Sequence, residues 1–357
     1  MYFGSISGKN GGEAVSTNRT IYDVARDAGV SPATVSRVFS GKGYVSAETR
    51  SRVMSAAKGF SPRRVFSETA KNTASKTIGI IVSPSCYHFF HNSTYADVME
   101  GLSKCLLAWG YQMMLDVRDP GSDVLLDMYR QRKVDGFILI GVDSTSSILR
   151  DLSEARVPMV LIGDCANQDD TGSCAHVEID DFAAARDVTT FLITLGHKRI
   201  AFISCDYKYA ASYNRFLGYK HALEEAGLPF DPRFVVTLSD TSEDAAVNMT
   251  KHLLYQAEKP SAILAFNGVV SMAVYKAVAD CGLRIPEDIS VAGFDDNVFT
   301  RHVSPAMTTV WQPSEEKGEA AARILLEALD AGVLPSKVVT LPSMILYRSS
   351  CAPPAGA

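Results

Sequence analysis

The chain has 357 residues, 46% of them hydrophobic and 21% charged, with a formal net charge of -5. That length exceeds one hydrophobic core and predicts two or three domains, while no apolar run approaches the ~20 residues of a membrane span. Seven cysteines, an odd number, are scattered without a C-x-x-C pair, which argues against a zinc site or disulfide framework and for a reducing, cytoplasmic setting.

The net charge conceals an asymmetry along the chain. Residues 19–77 carry 11 Lys/Arg against 4 Asp/Glu, a net of +7, whereas residues 78–357 carry a net of -12. A basic head on an acidic body points to a polyanionic partner for the head alone. The first 18 residues, rich in Gly, Ser and Asn, have no apolar core like that of a signal peptide and are expected to form a flexible tail.

The first predicted elements lie in "TIYDVARDAGVSPATVSRVF", residues 20–39. Thr20 is placed to cap a helix running to Ala28, with Asp23 at N3 and Gly29 as the left-handed stop. Ser31 is placed to cap a second helix, with Pro32 at N1, where a missing N–H costs nothing. Two helices joined by so short a Gly-containing turn are the helix-turn-helix pattern. Val24, Ala25, Val30, Val35 and Val38 can close one small core, leaving Pro32, Ala33, Ser36 and Arg37 on the opposite face. A third helix is expected from Ser46, with Val53, Ala56 and Ala57 facing inward. The exposed face of the second helix is short-chained with one Arg, which suits close approach to a groove. Arg19, Arg26, Lys42, Arg50, Arg52, Lys58, Arg63 and Arg64 surround it as candidate phosphate contacts.

This stretch resembles the head of LacI/GalR-type transcriptional regulators, whose pattern is T-I-x-D-V-A-x-x-A-x-V-S-x-x-T-V-S-R. The resemblance implies that Pro32, Ala33 and Arg37 read bases, while Thr20, Ser31, Thr34 and Ser36 bind phosphate or support the helix. Arg37 could then grip guanine O6 and N7, and Pro32 and Ala33 could touch a thymine methyl. In the family a hinge helix follows and wedges a Leu into the minor groove. Here Ser61-Pro62 matches, but the family's A-R-S-L aligns with Phe66-Ser67-Glu68-Thr69. Either Phe66 substitutes as the wedge or the hinge intercalates weakly; Arg63 and Arg64 remain phosphate ligands in both cases.

Beyond the linker, β-branched runs alternate with helical patterns: "IGIIV" (78–82), "QMMLDV" (112–117), "GFILI" (136–140) and "MVLI" (159–162). A second series follows in "RIAFIS" (199–204), "SAILAF" (261–266) and "ISVAGF" (289–294). Alternation of this kind predicts parallel sheets covered by helices on both faces, in two doubly wound lobes with a ligand cleft at the strand C-termini. The resemblance continues through "DGFILI", "LGHKRIAFI", "RFLGYKHALEEAGL", "GLRIPEDISVAGFDD" and "SPAMTTVWQP". It implies an α/β periplasmic-binding-protein-like body joined by a hinge to an all-α head. The implied boundaries are a tail over 1–18, a head over 19–65, a hinge over 66–77, a body over 78–350 and a tail over 351–357. The implied lobes are 78–180 with 312–334 and 181–311 with 335–350, the chain crossing near 180, 310 and 335.

The resemblance also places Arg215 of "RFLGY", Asp295 of "GFDD" and Asn267 of "AFNG" at effector contacts. Tyr95, Asp164 and Trp311 are further candidates, Tyr95 by alignment to an aromatic of the family's N-P-F-F and Asp164 by alignment to its Asp-Arg. No cofactor, metal site or enzymatic activity is expected: G-x-S-x-G, the P-loop and H-E-x-x-H are absent, and His88 and His91, three apart in an inserted loop, have no second His pair. The expected function is a homodimeric DNA-binding repressor that recognises a palindromic double-stranded operator and responds to a sugar or sugar-derived effector. A solute-binding protein without a transcriptional role is the competing reading; it leaves the basic head unexplained. The C-terminus carries no leucine heptad of the kind that zips tetramers.

Overall fold

In the computed structural model the chain divides into two units, residues 1–74 and 75–357. Described are residues 21–40, 45–57, 74–83, 92–117, 121–142, 146–163, 174–238 and 242–355. The positions assigned above to Thr20, Arg63, Arg64, Phe66 and Asp164 lie outside these residues, as do the side chains of Ala33 and Ser36.

The head is three helices, α1 (Ile21–Ala28), α2 (Pro32–Ser40) and α3 (Ala47–Ala56). Gly29 adopts φ 61°, the left-handed geometry that ends α1. The Ser31 side chain accepts from the Thr34 N–H at 3.1 Å, and Ser46 accepts from the Thr49 N–H at 3.3 Å, so α2 and α3 are each capped by their own sequence. Val24, Ala25, Ala28, Val35, Val38 and Val53 form the buried core, with Val30, Val45, Ala56 and Ala57 against it. The structure adds a tie that local patterning missed. Arg52 Nη2 of α3 donates to the Ala28 carbonyl at 2.6 Å and to that of Gly29 at 3.3 Å. It satisfies the open carbonyl end of α1.

In the body, two six-stranded sheets share one winding order. The first comprises β1 (Thr77–Val82), β2 (Gln112–Val117), β3 (Gly136–Ile140), β4 (Met159–Ile162) and β5 (His176–Ile179), in the order β2-β1-β3-β4-β5. The second comprises β6 (Ile200–Cys205), β7 (Val235–Leu238), β8 (Ala262–Ala265), β9 (Ser290–Phe294) and β10 (Thr308–Trp311), in the order β7-β6-β8-β9-β10. Neighbours within each five are parallel, as their near-continuously apolar central strands require. Helices α4 (Ser93–Ala108), α5 (Ser122–Arg130) and α6 (Ile148–Glu154) alternate with the first set of strands. Helices α7 (Asp181–Thr194), α8 (Ala210–Glu225), α9 (Glu243–Leu254), α10 (Gly268–Asp280) and α11 (Val298–His302) serve the second.

Three crossings join the lobes. The first runs from β5 into α7, which packs on α8. The second runs from β10 into α12 (Ser314–Ala331), which packs on α4. The third differs from the expected return near 335. Strand β11 (Val338–Leu341) adds to β5 of the first sheet, and β12 (Met344–Leu346) pairs antiparallel with β10, so the return lies between Leu341 and Met344. The body also begins before residue 78, because the Ser75 and Lys76 N–H groups donate to the Asp135 carboxylate, each at 2.9 Å. Nor are residues 351–352 a tail: the Ala352 carbonyl lies 3.0 Å from His197 Nε2, and Cys351 packs on the second-lobe core.

Close helix contact fixes α12 in place. A Cβ on Gly318 would run into the Val98 carbonyl, and one on Gly101 into that of Glu315. Only glycine lets the backbones of α4 and α12 approach this far.

Candidate functional site

Two places concentrate polar groups at positions that packing alone does not require. On the head, α2 presents Ser31 and Arg37 as exposed residues and Pro32 and Thr34 as half-buried ones. Their helix is held from behind by Val35 and Val38, which are 0% and 5% exposed. A rigid helix end with short side chains and one long guanidinium is the geometry of a groove reader. Two of the basic residues around it also have partners within the head. Arg26 pairs with Asp23 at 3.0 Å and with Asp27 at 3.8 Å, and Arg52 is committed to the end of α1. Both side chains are nevertheless exposed, as is that of Arg50, so these contacts orient Arg26 and Arg52 without removing them from reach of a phosphate.

The second place is built at the strand C-termini, on the side where the lobes are joined. Arg215 projects from α8 and is 5% exposed. Its Nε donates to Asp181 Oδ1 at 2.6 Å, and its Nη1 donates to the Phe266 carbonyl at 2.5 Å. The guanidinium stacks 3.8 Å from the ring centre of Phe294 and 4.7 Å from that of Phe266. A cation so sandwiched is oriented by its neighbours before any ligand arrives. Tyr209, Ser212 and Arg215 recur every three residues on α8, so they lie on adjoining turns. The Tyr209 and Ser212 hydroxyl oxygens are buried with no hydrogen-bond partner among the described residues. Orphaned buried hydroxyls are rare in interiors and mark a place where polar ligand atoms fit.

Asp295 follows β9 directly and is 4% exposed. Its backbone takes φ 72°, a left-handed conformation costing a non-glycine residue roughly 1–2 kcal/mol. The Asp295 carboxylate accepts from Gln312 Nε2 at 2.6 Å and from the Gly268 N–H at 3.3 Å. The adjacent acid, Asp296, does different work, pairing with Arg348 at 2.6 Å and Arg301 at 2.9 Å. Gln312 relays the contact onward, since its Oε1 accepts from Lys317 Nζ at 2.6 Å. Lys317 is buried near Asp181, Arg215, Asp295 and Glu178, and burial holds its ammonium below the usual lysine range.

The other expected contacts fare differently. Asn267 caps α10, its side chain accepting from the Val270 N–H at 2.8 Å, which leaves only its amide nitrogen for a ligand. Tyr95 lies on α4 and packs against the first-lobe core. Trp311 is half-buried at the end of β10, beside Gln312. Thus Arg215 and Asp295 come together with Trp311 nearby, while Tyr95 and Asn267 also carry structural duties. Asp181, Gln312 and Lys317 were missed. Lys317 did leave a sequence signal: it shares the apolar helix stripe with Ala321, Ile324 and Leu325, at spacings of four, seven and eight.

Comparisons with known proteins match both parts of the chain. Residues 20–61 match the model for bacterial regulatory proteins of the lacI family, and residues 189–351 match that for a periplasmic binding protein-like domain. The chain is 34% identical over 342 residues to catabolite control protein A of Priestia megaterium, spanning 93% of this chain and 99% of that protein. It is 32% identical over 343 residues to the HTH-type transcriptional repressor PurR of Haemophilus influenzae, spanning 92% and 98%. Among solved structures it is similar to a complex of the transcriptional regulator CelR with cellobiose. That match has a TM-score of 0.72 and 30% identity, and covers 93% of this chain and all of the other.

Proposed function

We propose, from the premise that this chain belongs to the lacI family of bacterial regulatory proteins, that it is a homodimeric repressor whose grip on a palindromic operator is set by a sugar-sized effector between its lobes. The observation that carries this reading is the presence, on one chain, of a groove-reading helix with exposed Arg37 and a buried Arg215–Asp295 pair of recognition groups. Arg37 reads a base edge, Pro32 and Ala33 make apolar contact, and Ser31, Thr34 and Ser36 serve phosphates or the helix cap. Thr20, Arg63 and Arg64 add phosphate contacts; Thr69 stands where the family has its wedging Leu, so either Phe66 substitutes as the wedge or the hinge intercalates weakly. The relative CelR is named in complex with cellobiose, and a fork of Arg donors facing an Asp acceptor suits adjacent hydroxyl oxygens. Trp311 and Asp164 complete the effector set, with Asn267 contributing through its amide nitrogen and Tyr95 as wall.

The dimer reading rests on the outer strand of the first sheet. Met113 and Leu115 of β2 are exposed, as are Leu107 and Trp109 just before it. A row of exposed apolar groups along a sheet edge is the kind of surface that another chain covers. Two heads then read two half-sites related by the same two-fold axis. No enzymatic role is assigned. The cysteine at the end of β6, Cys205, has its thiol pushed up to about 12 by burial, which suits packing and not nucleophilic attack. No group of His, Cys, Asp and Glu among the described residues is arranged to hold a metal, and no described helix is long and apolar enough to cross a membrane. A regulator of DNA works in the cytoplasm.

Selection of the purified protein on random duplex DNA, followed by anisotropy titration at several salt concentrations, tests the reading. A palindromic consensus with steep salt dependence is expected. Failure to enrich any site, alone and in the presence of a sugar panel, overturns it.

A further inference from the structure

Lys317 is the buried group beside Arg215 and Asp295 that a neutral ligand leaves unexplained. It stands on α12, next to Gly318, where contact with α4 leaves the helix no room to shift. The side chain is buried, and its Nζ makes one hydrogen bond among the described residues, to the neutral Gln312 Oε1 at 2.6 Å. No carboxylate pairs with it directly among those residues, although Asp181, Asp295 and Glu178 act on it from farther off. Each of the nearer acids is already engaged, Asp181 by Arg215 and Asp295 by Gln312 and the Gly268 N–H. An ammonium held in a low-dielectric site with one neutral acceptor is costly, because its remaining donors and its charge lack an anionic partner. For a neutral polyol, a glutamine or serine at this position would supply hydrogen bonds without that cost.

Resting on the reading of the cleft as an effector site, we propose that the effector is anionic: a sugar acid whose carboxylate is received by Lys317 while its hydroxyls meet Arg215 and Asp295. The preorganised cation gains an anion without further desolvation of its own. A single carboxylate fits better than a phosphate ester, because it brings the one negative charge that one ammonium balances, whereas a phosphate brings nearly two to a site where Asp181, Asp295 and Glu178 already act on Lys317. Lys317 thereby selects sugar acids over the neutral sugars from which they derive.

The test uses the full chain in thermal-shift and titration-calorimetry measurements at fixed ionic strength. The probes are matched sets: glucose and galactose, their aldonates and uronates, and glucose 6-phosphate. At least one carboxylate is expected to raise the melting temperature while its neutral parent does not. Lys317→Met should weaken binding of that acid by roughly tenfold or more, with an unliganded melting temperature equal to or above that of the parent chain. Lys317→Gln, which keeps a donor without the charge, should behave alike. The inference is overturned if a neutral sugar binds as tightly as its acid, if the phosphate binds better, or if Lys317→Met leaves acid binding intact. It is overturned as well if no acid shifts the protein. Neutral sugars shifting alone leave the effector cleft standing and remove only its anionic specificity; if no probe of any class shifts the protein or releases it from its operator, both readings fall.

Discussion

Head and body place their recognition groups in contrasting ways. In the head, the groups set against DNA stand on the outside of α2, whose cap, first turn and core contacts all lie between residues 21 and 57. In the body, the groups proposed to recognise the effector are buried and come from Asp181, Arg215, Asp295, Gln312 and Lys317, on segments joined only by the tertiary fold. An exposed reader tolerates substitution of its contacts with little loss of fold. A buried polar network does not where removing one member strands the charge of another, as removing Asp181 strands Arg215.

The sharpest way to break that contrast is Asp181→Ala, which leaves the Arg215 guanidinium buried without its carboxylate. The body is expected to lose about 3–5 kcal/mol of stability. Both tryptophans of the chain, Trp109 and Trp311, lie in the body, so their fluorescence during denaturant unfolding reports this loss without interference from the head. A loss of under ~1 kcal/mol would mean that the Arg215–Asp181 pair is relaxed by solvent and that the cleft is not a preorganised network.

A middle-sized effect belongs to the head. Arg37→Ala should cost about 1–3 kcal/mol of discrimination at one operator position in each half-site. The mutant should keep the melting behaviour of the parent, because Arg37 is exposed and the core beneath it is Val35 and Val38. Competition titrations against operators carrying each base at every half-site position measure it. Unchanged preference at all positions would assign Arg37 to phosphate rather than base contact. Comparison with Arg26→Ala sharpens the result: Arg26 is tied to Asp23, so its loss should barely alter the salt slope.

This contrast also explains what could be read before the structure. The head was legible almost residue by residue because caps, turn and core repeat at helical spacing within one short segment; only the use of Arg52 and Arg26, set by neighbours in space, was not. In the body, long apolar strands such as Gly136–Ile140 announced themselves. Strands β5, β7, β10, β11 and β12 did not, being three or four residues long. "HVEI" and "VVTL" mix polar with apolar residues, and only pairing to a neighbouring strand makes them strands. That is why the third crossing was placed too early. Of the candidate effector site, Arg215 and Asp295 were singled out through motifs, but their partners Asp181, Gln312 and Lys317 have no fixed spacing to them.

The smallest expected effect concerns how the C-terminal segment is held to the second lobe. His197 is 1% exposed; its Nδ1 lies 2.9 Å from Ser261 Oγ, and its Nε2 lies 3.0 Å from both Ser290 Oγ and the Ala352 carbonyl. Burial lowers its pKa from the ordinary value of 6.5, outweighing the carbonyl of Ala352, which favours the charged ring. The unfolded chain therefore binds more protons than the folded one between the lowered value and 6.5. Stability should be full above about pH 6.5 and fall as the pH drops through that window, by less than the Asp181 effect. His197→Gln should flatten this part of the stability profile, measured by denaturant midpoints from pH 5 to 8, while leaving operator binding at pH 7.5 unchanged. A profile equally steep in the variant would place the acid sensitivity elsewhere. The contrast between the regions would then narrow, because the body's buried polar groups would no longer be where protonation is felt.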